Sequence, residues 1–184
     1  MGFPSLKRRI HYLSMPLLIA GAFHGYATTY HTVESAQKAC FGDGIEFVSA
    51  DVKLTKEQMK GIEQASGVRV RLDTQRVWKA TKNGQFAGWF IVDEVLGKHE
   101  YIIWALALKP DGSVQSIEVM DYRETYGYEI RNADWRAQFL GKKNGAKLKL
   151  DDDIKNISGA TLSCRHITDG VKRLLAFHDL ALKQ

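Results

Sequence analysis

The middle of the chain alternates between apolar runs and short polar turns, which is typical of an antiparallel sheet. The runs that are long enough to form strands cover residues 74–81, 86–95, 101–108 and 114–122. Asn83-Gly84 is a strong hairpin signal, and glycine-containing turns separate the other runs. The third run is apolar on both faces, which predicts a central strand that is covered on each side. Because the turns are short, we expect an antiparallel meander.

Helical spacing of apolar residues precedes this sheet. Thr32 is placed to cap a first helix, and Gly42 lies beyond its end. Thr55 begins a second helix with a capping box, since Gln58 follows three residues later, and this helix ends near Gly67. Both helices are expected to pack on the sheet.

Two more helices are predicted after the sheet. The first runs from Asn132 to Leu140, with Asn132 as its cap and with Trp135 and Phe139 on one face. The second closes the chain. It runs from Leu162 to about Leu182, and its inner face comprises Ile167, Val171, Leu174, Leu175 and Leu182. Together these elements predict an α+β fold in which an antiparallel sheet packs with helices.

Residues 1–27 differ from the rest of the chain. Three basic residues at 7–9 precede an apolar run from Ile10 to Phe23 and several small residues, which is the pattern of a secretory signal peptide. Cleavage after Ala22 or Ala27 fits this pattern. The run is short for a membrane span, and a retained N-terminal anchor is the alternative. In either case we expect residues 28–184 to form one domain outside the cytoplasm, in the periplasm.

Composition and charge exclude other classes of protein. The 184 residues are 45% hydrophobic and 26% charged, as in an ordinary globular protein. The formal net charge falls from +5 to +2 without residues 1–27, which contain three basic and no acidic residues. The remaining basic clusters are therefore expected to be solvated faces, and no nucleic-acid partner is predicted. No Gly-x-Gly-x-x-Gly fingerprint follows a predicted strand, so a Rossmann dinucleotide site is not expected.

Side chains with metal or thiol chemistry are sparse. Cys40 and Cys164 cannot build a haem-attachment or zinc motif, and they form either a disulfide or two buried thiols. His166 and His178 are expected on the surface of the last helix, because no second ligand stands at metal-binding spacing. The four tryptophans are expected to pack in the core or sheet rather than against a ligand. We predict no metal site and no catalytic residue.

Two segments carry a clearer chemical signal. The first directly precedes the last helix and reads Ser158-Gly159-Ala160-Thr161-Leu162-Ser163. Its small residues leave room for a bulky group, and free amides at a helix start suit an anion such as phosphate. A helix capped by Ser158 or Thr161 is the alternative interpretation.

The second segment follows the last predicted strand and reads Glu124-Thr125-Tyr126-Gly127-Tyr128. On its own it is either a surface turn with exposed tyrosines or a loop that carries function.

These segments resemble the FMN-binding domain family, which includes the covalent-flavin subunits of sodium-pumping NADH:quinone reductase and of related ferredoxin-linked complexes. Residues 158–163 resemble the flavinylation motif of this family, residues 124–127 its Glu-Thr-x-Gly loop, and residues 139–142 its Phe-x-Gly-Lys element. The resemblance implies that a flavin transferase joins FMN to Thr161 through a phosphoester. It also implies a cofactor-binding role for Ser158, Gly159, Ala160, Leu162, Ser163, Glu124, Thr125, Gly127 and Tyr128. In this interpretation the backbone of Gly127 faces the cofactor, and Tyr126 or Tyr128 lies against the flavin ring. One position departs from the family pattern, because Lys155 stands where relatives usually carry Asp.

The resemblance implies an exported electron-transfer flavoprotein that exchanges electrons with a membrane-bound or periplasmic redox partner. Two alternatives belong to other functional classes. One is a flavin-dependent reductase that acts on its own small substrate. The other is a non-redox exported module that binds a ligand.

Overall fold

An antiparallel sheet organises the part of the chain that the computed structural model describes, which is residues 28–183. The predicted signal peptide lies outside these residues. The strands, numbered β1 to β7 in chain order, are Thr28–Thr29, Glu46–Ser49, Val52–Lys53, Thr74–Lys82, Gln85–Leu96, Tyr101–Leu108 and Val114–Tyr122. Their order across the sheet is β1-β7-β6-β5-β4-β2, and β3 pairs with β4. The predicted meander is β4 to β7, and the predicted α+β fold is confirmed.

Helices cover both faces of the sheet. The α-helices, numbered α1 to α4, are Val33–Phe41, Lys56–Ser66, Ala133–Ala137 and Thr161–Phe177. A 3-10 turn at Tyr128–Arg131 precedes α3, and a π-helical turn at His178–Leu182 follows α4. Helices α2 and α4 share one core with alternate side chains of β6, including Trp104 and Leu106, whereas α1 packs against Ala105 and Ala107 on the opposite face. Strand β6 is therefore buried from both sides, as predicted.

Helix α4 approaches the sheet very closely at Gly170. A Cβ atom at this position would lie 2.7 Å from Cζ2 of Trp104, which is too close for two carbon atoms. The missing side chain thus lets the helix backbone rest on the indole ring. This contact fixes the height of α4 above β5 and β6.

The caps predicted for the first two helices are confirmed. Oγ1 of Thr32 accepts a hydrogen bond from the amide of Ser35, and Thr55 and Gln58 form the complete capping box. The helices end at Gly42 and Gly67, as the sequence indicates.

The predicted helix from Asn132 to Leu140 is wrong in its length and its cap. Helix α3 has five residues, and the side chain of Asn132 makes no capping hydrogen bond. The following turn tightens because each amide from Gln138 to Leu140 bonds the carbonyl three residues earlier. The chain then joins the free edge of β7, where the amide of Gly141 bonds the carbonyl of Val114. The hydrogen bonds to this edge of β7 take the place of further helical turns.

One histidine prediction is also wrong. His178 is buried, and its ring packs against Gly112 in the turn between β6 and β7. The four-residue spacing of apolar side chains on α4 continues past Phe177, so position 178 turns toward the sheet. His166 is half-buried and contacts the carbonyl of Leu96. Within residues 28–183, no helix is both long enough and apolar enough to cross a membrane.

Candidate functional site

The two segments that carry the chemical signal touch each other. Gly127 has a φ angle of 87°, in the left-handed region that favours glycine. A Cβ atom at this position would lie 2.2 Å from the Cβ of Ala160. The loop after β7 and the turn before α4 are therefore in direct contact, and this contact requires glycine at 127 for both space and backbone geometry.

Tyr122, the last residue of β7, links the same two segments. Its hydroxyl donates a hydrogen bond of 2.5 Å to the carbonyl of Tyr126, and it lies 3.4 Å from the hydroxyl of Ser163. Burial raises the pKa of this phenol above its usual value, so it stays protonated and able to donate. The sequence does not single out Tyr122, because its role depends on contacts across the fold.

Thr161 is the first residue of α4, and its side chain is half-buried. Ala160 occupies the N-cap position, and no side chain caps the helix, so the capping interpretation of Ser158 and Thr161 is wrong. The first amide that bonds back into the helix is that of Cys164, which reaches the carbonyl of Ala160 at 2.9 Å. The preceding amides of the first turn are available to an anion at the positive end of the helix dipole.

The turn before Thr161 is open on its outer side. Ser158 and Gly159 are exposed, and Gly159 has a φ of 83° with no heavy atom within 4 Å of the place that a Cβ would occupy. Leu162 is 39% exposed at the helix start. A bulky group can therefore approach the backbone from solvent without displacing a side chain.

Exposed aromatic rings lie on the loop side of the contact between Gly127 and Ala160. Tyr126 is 75% exposed and Tyr128 is 60% exposed, so the rings on either side of Gly127 face solvent. Both rings are free to lie against a planar ligand. Thr125 is exposed as well.

Glu124 has a different position from its neighbours in the loop. Its Oε1 accepts hydrogen bonds from the amides of His99 at 2.6 Å and Glu100 at 3.0 Å. Partial burial opposes ionisation, but these backbone amides outweigh it and lower the pKa of Glu124 below its usual value. The carboxylate thus anchors the loop to the turn between β5 and β6.

The acidic residues before the motif stabilise their own loop. Asp152 pairs with Lys147 at 2.6 Å, and Asp153 pairs with Lys142 at 2.8 Å. Burial opposes ionisation of Asp153, but Lys142 and the amide of Lys149 outweigh it and lower its pKa to about 2. Within the described chain, both carboxylates bond their own loop, and neither makes a hydrogen bond to Thr161.

A groove of about 660 Å³ runs along α4 beside the sheet. It opens where the pairing of β4 with β5 ends, because Arg76 with Val92 is the last pair of these two strands. The end of β5 therefore has β6 on one side and the groove on the other. Its walls combine the apolar side chains of Leu72, Val95 and Leu96 with arginines at the rim.

A buried ion pair forms the floor of this groove. Nη2 of Arg173 on α4 lies 2.6 Å from Oδ2 of Asp93 on β5, and Gln75 contacts the same guanidinium at 3.4 Å. Burial raises the pKa of Asp93, and Arg173 offsets only part of the shift. The buried indole N–H of Trp104 also favours the ionised form of Asp93, although it makes no full hydrogen bond within the described chain.

The groove and the motif lie along one helix. Leu162, His166, Asp169 and Arg173 follow one another at three- or four-residue spacing, so they share a side of α4. The last three line the groove, and Leu162 neighbours Thr161. The groove therefore extends from the sheet toward the start of α4.

Potential metal ligands and thiols are a separate feature of the described chain. Residues 28–183 contain no group of three His, Cys, Asp or Glu side chains that could hold a metal ion. Cys40 and Cys164 are buried as free thiols, and burial raises their pKa values to about 12 and about 11. Both are therefore protonated at neutral pH.

Comparison with known proteins agrees with this geometry. Residues 97–176, which include both segments, match the model of the FMN-binding domain. The chain is 30% identical to one subunit of the Na(+)-translocating NADH-quinone reductase of Pasteurella multocida (strain Pm70), in an alignment that covers 60% of this chain and 49% of that protein. It thus spans about half the length of this relative.

A solved structure shares the fold. The crystal structure of Shewanella oneidensis NqrC superposes with a TM-score of 0.54 and 16% sequence identity. The superposition covers 79% of this chain and 88% of that chain. The resemblance inferred from the sequence is confirmed.

Proposed function

Because residues 97–176 match the FMN-binding domain, we propose that this chain is an exported electron-transfer flavoprotein that carries FMN on Thr161. The observation that carries the proposal is the contact between Gly127 and Ala160. It joins both family-like segments beside the hydroxyl of Thr161. A chance pair of turn motifs has no reason to meet at a helix start.

The residues around Thr161 fit the proposed group. The uncapped amides at the start of α4 suit its phosphate, and the exposed turn at Ser158 and Gly159 leaves an approach from solvent. Tyr126 and Tyr128 offer two exposed rings for a planar surface. When bound, FMN supplies reversible electron transfer, whereas the protein supplies attachment, orientation and electrostatics.

The remaining parts of the proposal concern maturation and location. A flavin transferase forms the phosphoester, and residues 1–27 direct export to the periplasm. There the domain exchanges electrons with a membrane-bound or periplasmic redox protein. The relative from Pasteurella multocida supports this choice because it is a subunit of a Na(+)-translocating NADH-quinone reductase.

The groove along α4 favours a second candidate function. Its volume of about 660 Å³ lies in the range of roughly 300–1,000 Å³ that small-molecule sites occupy. A flavin-dependent reductase would use such a groove for its own small substrate. Turnover of a small electron acceptor by the isolated flavin-loaded protein, without a partner protein, would favour this reductase over the carrier.

The mass of the denatured protein tests the attachment. We expect the wild-type protein, co-expressed with a flavin transferase, to gain the mass of one FMN less one water. Thr161→Ala should lose this gain and remain folded, because it removes one hydrogen bond worth about 1 kcal/mol. Ser49→Ala is the control, since it removes an exposed hydroxyl on β2, outside both segments, and should keep the flavin.

Two results would contradict the proposal. Covalent flavin on Thr161→Ala would exclude this attachment site. An unmodified wild-type protein, with the transferase active on another substrate, would favour the non-redox binding module.

A further inference from the structure

Among the described residues, Asn156 provides the hydrogen bond to the Thr161 hydroxyl. Its Nδ2 donates to Oγ1 of Thr161 at 3.1 Å. The turn between them brings the two side chains together, because the amide of Ala160 bonds the carbonyl of Ile157 at 3.0 Å. The resemblance to the family does not single out position 156, because the position that departs from the family pattern is the preceding one, Lys155.

The backbone before Asn156 is held on both sides. The amide of Lys155 donates to Oε1 of Gln138 at 2.7 Å, and its carbonyl accepts from Nε1 of Trp135 at 2.8 Å. Both partners belong to α3 or its end. Asn156 therefore presents its amide group from a fixed point rather than from a loose loop.

The other half of this amide has no partner. Oδ1 of Asn156 is buried and accepts no hydrogen bond within residues 28–183. A buried polar atom without a partner destabilises the folded state, so stability alone does not explain an asparagine here. A buried polar atom of this kind calls for another explanation, and the hydrogen bond from Nδ2 of the same amide to Thr161 suggests one.

We propose that Asn156 is the positioning residue for flavin attachment, holding the Thr161 hydroxyl and stabilising negative charge on its oxygen during the transfer. This inference rests on the proposed function. It also bears on Lys155, the position that departs from the family pattern. No ion pair of the described residues involves Lys155, whereas the side-chain amide of the next residue contacts the acceptor hydroxyl.

In the transfer, Oγ1 of Thr161 forms a bond to the flavin-side phosphorus of a flavin dinucleotide, which is the activated donor. The anhydride bond to the other phosphate breaks, and its electron pair leaves with the nucleoside monophosphate. The hydroxyl proton passes to a base of the transferase, and nothing is oxidised or reduced.

The direction of the hydrogen bond suits this step. Because Nδ2 donates, the hydrogen of the Thr161 hydroxyl remains free to point to the base. The same N–H bond strengthens as Oγ1 gains negative charge. The positive end of α4 acts in the same sense, since Thr161 is its first residue.

Four proteins compared side by side test the proposal: wild type, Asn156→Ala, Asn156→Asp and Lys155→Ala. Each is incubated with purified transferase and flavin dinucleotide, and the mass gain is followed over time at several protein concentrations. We expect Asn156→Ala to lower the maximal rate about ten- to a hundredfold, with little change in the half-saturating concentration. Lys155→Ala should match wild type, because its side chain makes no such contact.

Asn156→Asp separates positioning by donation from simple space-filling. It keeps the shape of the side chain but offers only acceptor oxygens, so we expect it to be as slow as Asn156→Ala. A wild-type rate for Asn156→Asp would overturn the proposal, and it would decide the matter even if Asn156→Ala failed to fold. Equal rates for Asn156→Ala and wild type would overturn this inference alone, whereas an unmodified wild type would overturn the proposed function as well.

Discussion

Gly127 is the point where the loop after β7 meets the turn before α4. Gly127 has a positive φ angle, and a Cβ atom at this position would lie 2.2 Å from the Cβ of Ala160. Each of these two constraints favours glycine independently of the other. An alanine would strain the backbone and also push the two segments apart. The geometry of the candidate site therefore depends on a single missing methyl group.

We expect Gly127→Ala to lower the free energy of unfolding by about 2–4 kcal/mol, from backbone strain and from the clash with Ala160. Gly159→Ala is the control, because Gly159 has a similar φ of 83° but open space around it. That variant should lose only about 1 kcal/mol. Urea denaturation of both variants measures the difference, and equal losses would show that the contact contributes nothing.

Residue identity predicts some of these groups and misses others. Thr161 and Gly127 stand in recognisable local patterns, so the sequence indicates them as candidates. Asn156 and Tyr122 have no such pattern, because each acts through a contact that only the folded turn creates. Glu124 belongs to the recognisable loop, but its carboxylate binds the backbone of the β5–β6 turn.

At the scale of elements, the pair of Asp93 and Arg173 joins β5 to α4. Both side chains are largely buried, so the pair is shielded from water. Removing one partner from a buried pair leaves an uncompensated group, which costs more than the pair itself contributes. The floor of the groove therefore depends on both residues together.

We expect Arg173→Met to lower the free energy of unfolding by about 3 kcal/mol or more. Arg69→Met is the control, because Arg69 lines the same groove but is exposed and takes part in no ion pair of the described chain. It should change stability by less than about 0.5 kcal/mol. Adding Asp93→Asn to Arg173→Met should recover part of the loss, and a fully additive loss in the double variant would argue against coupling.

The elements themselves differ in how far the sequence predicts them. Strands β4 to β7 follow from alternating apolar runs and strong turn signals, and their observed ends differ from the predicted ones by at most one residue. Helix α3 is shorter than its pattern predicts because the free edge of β7 competes for its backbone. The short strands β1 to β3 carry too few residues for a pattern. The groove is missed as well, since it arises where the pairing of β4 with β5 ends, which no local sequence pattern indicates.

At the scale of the whole molecule, burial is greatest at β6, whereas much of the loop beside the candidate site is exposed. Residues from Trp104 to Leu108 are fully buried, with helices on both faces of the sheet. The loop at residues 123–128 is exposed at most positions, although Glu124 and the carbonyl of Tyr126 accept hydrogen bonds. This side of the candidate site is therefore far less buried than β6, and local opening needs less free energy there.

We expect amide hydrogen exchange to be slowest in β6, where exchange requires global unfolding. Exchange in residues 123–128 should be faster by orders of magnitude, because local opening exposes these amides. Mass spectrometry of peptides from the two regions measures this contrast. Similar protection of both regions would mean that the loop opens only when the whole domain unfolds.

The openness of the turn before α4 has a consequence for how a ligand is kept. A pocket that retains a cofactor by affinity must enclose it, which hides it from other proteins. A covalent bond at Thr161 instead keeps the cofactor at an effective concentration of roughly millimolar or higher, whatever the strength of the non-covalent contacts around the cofactor. The protein then has no need to surround the ring, and the exposed face beside Tyr126 and Tyr128 stays accessible to a passing partner.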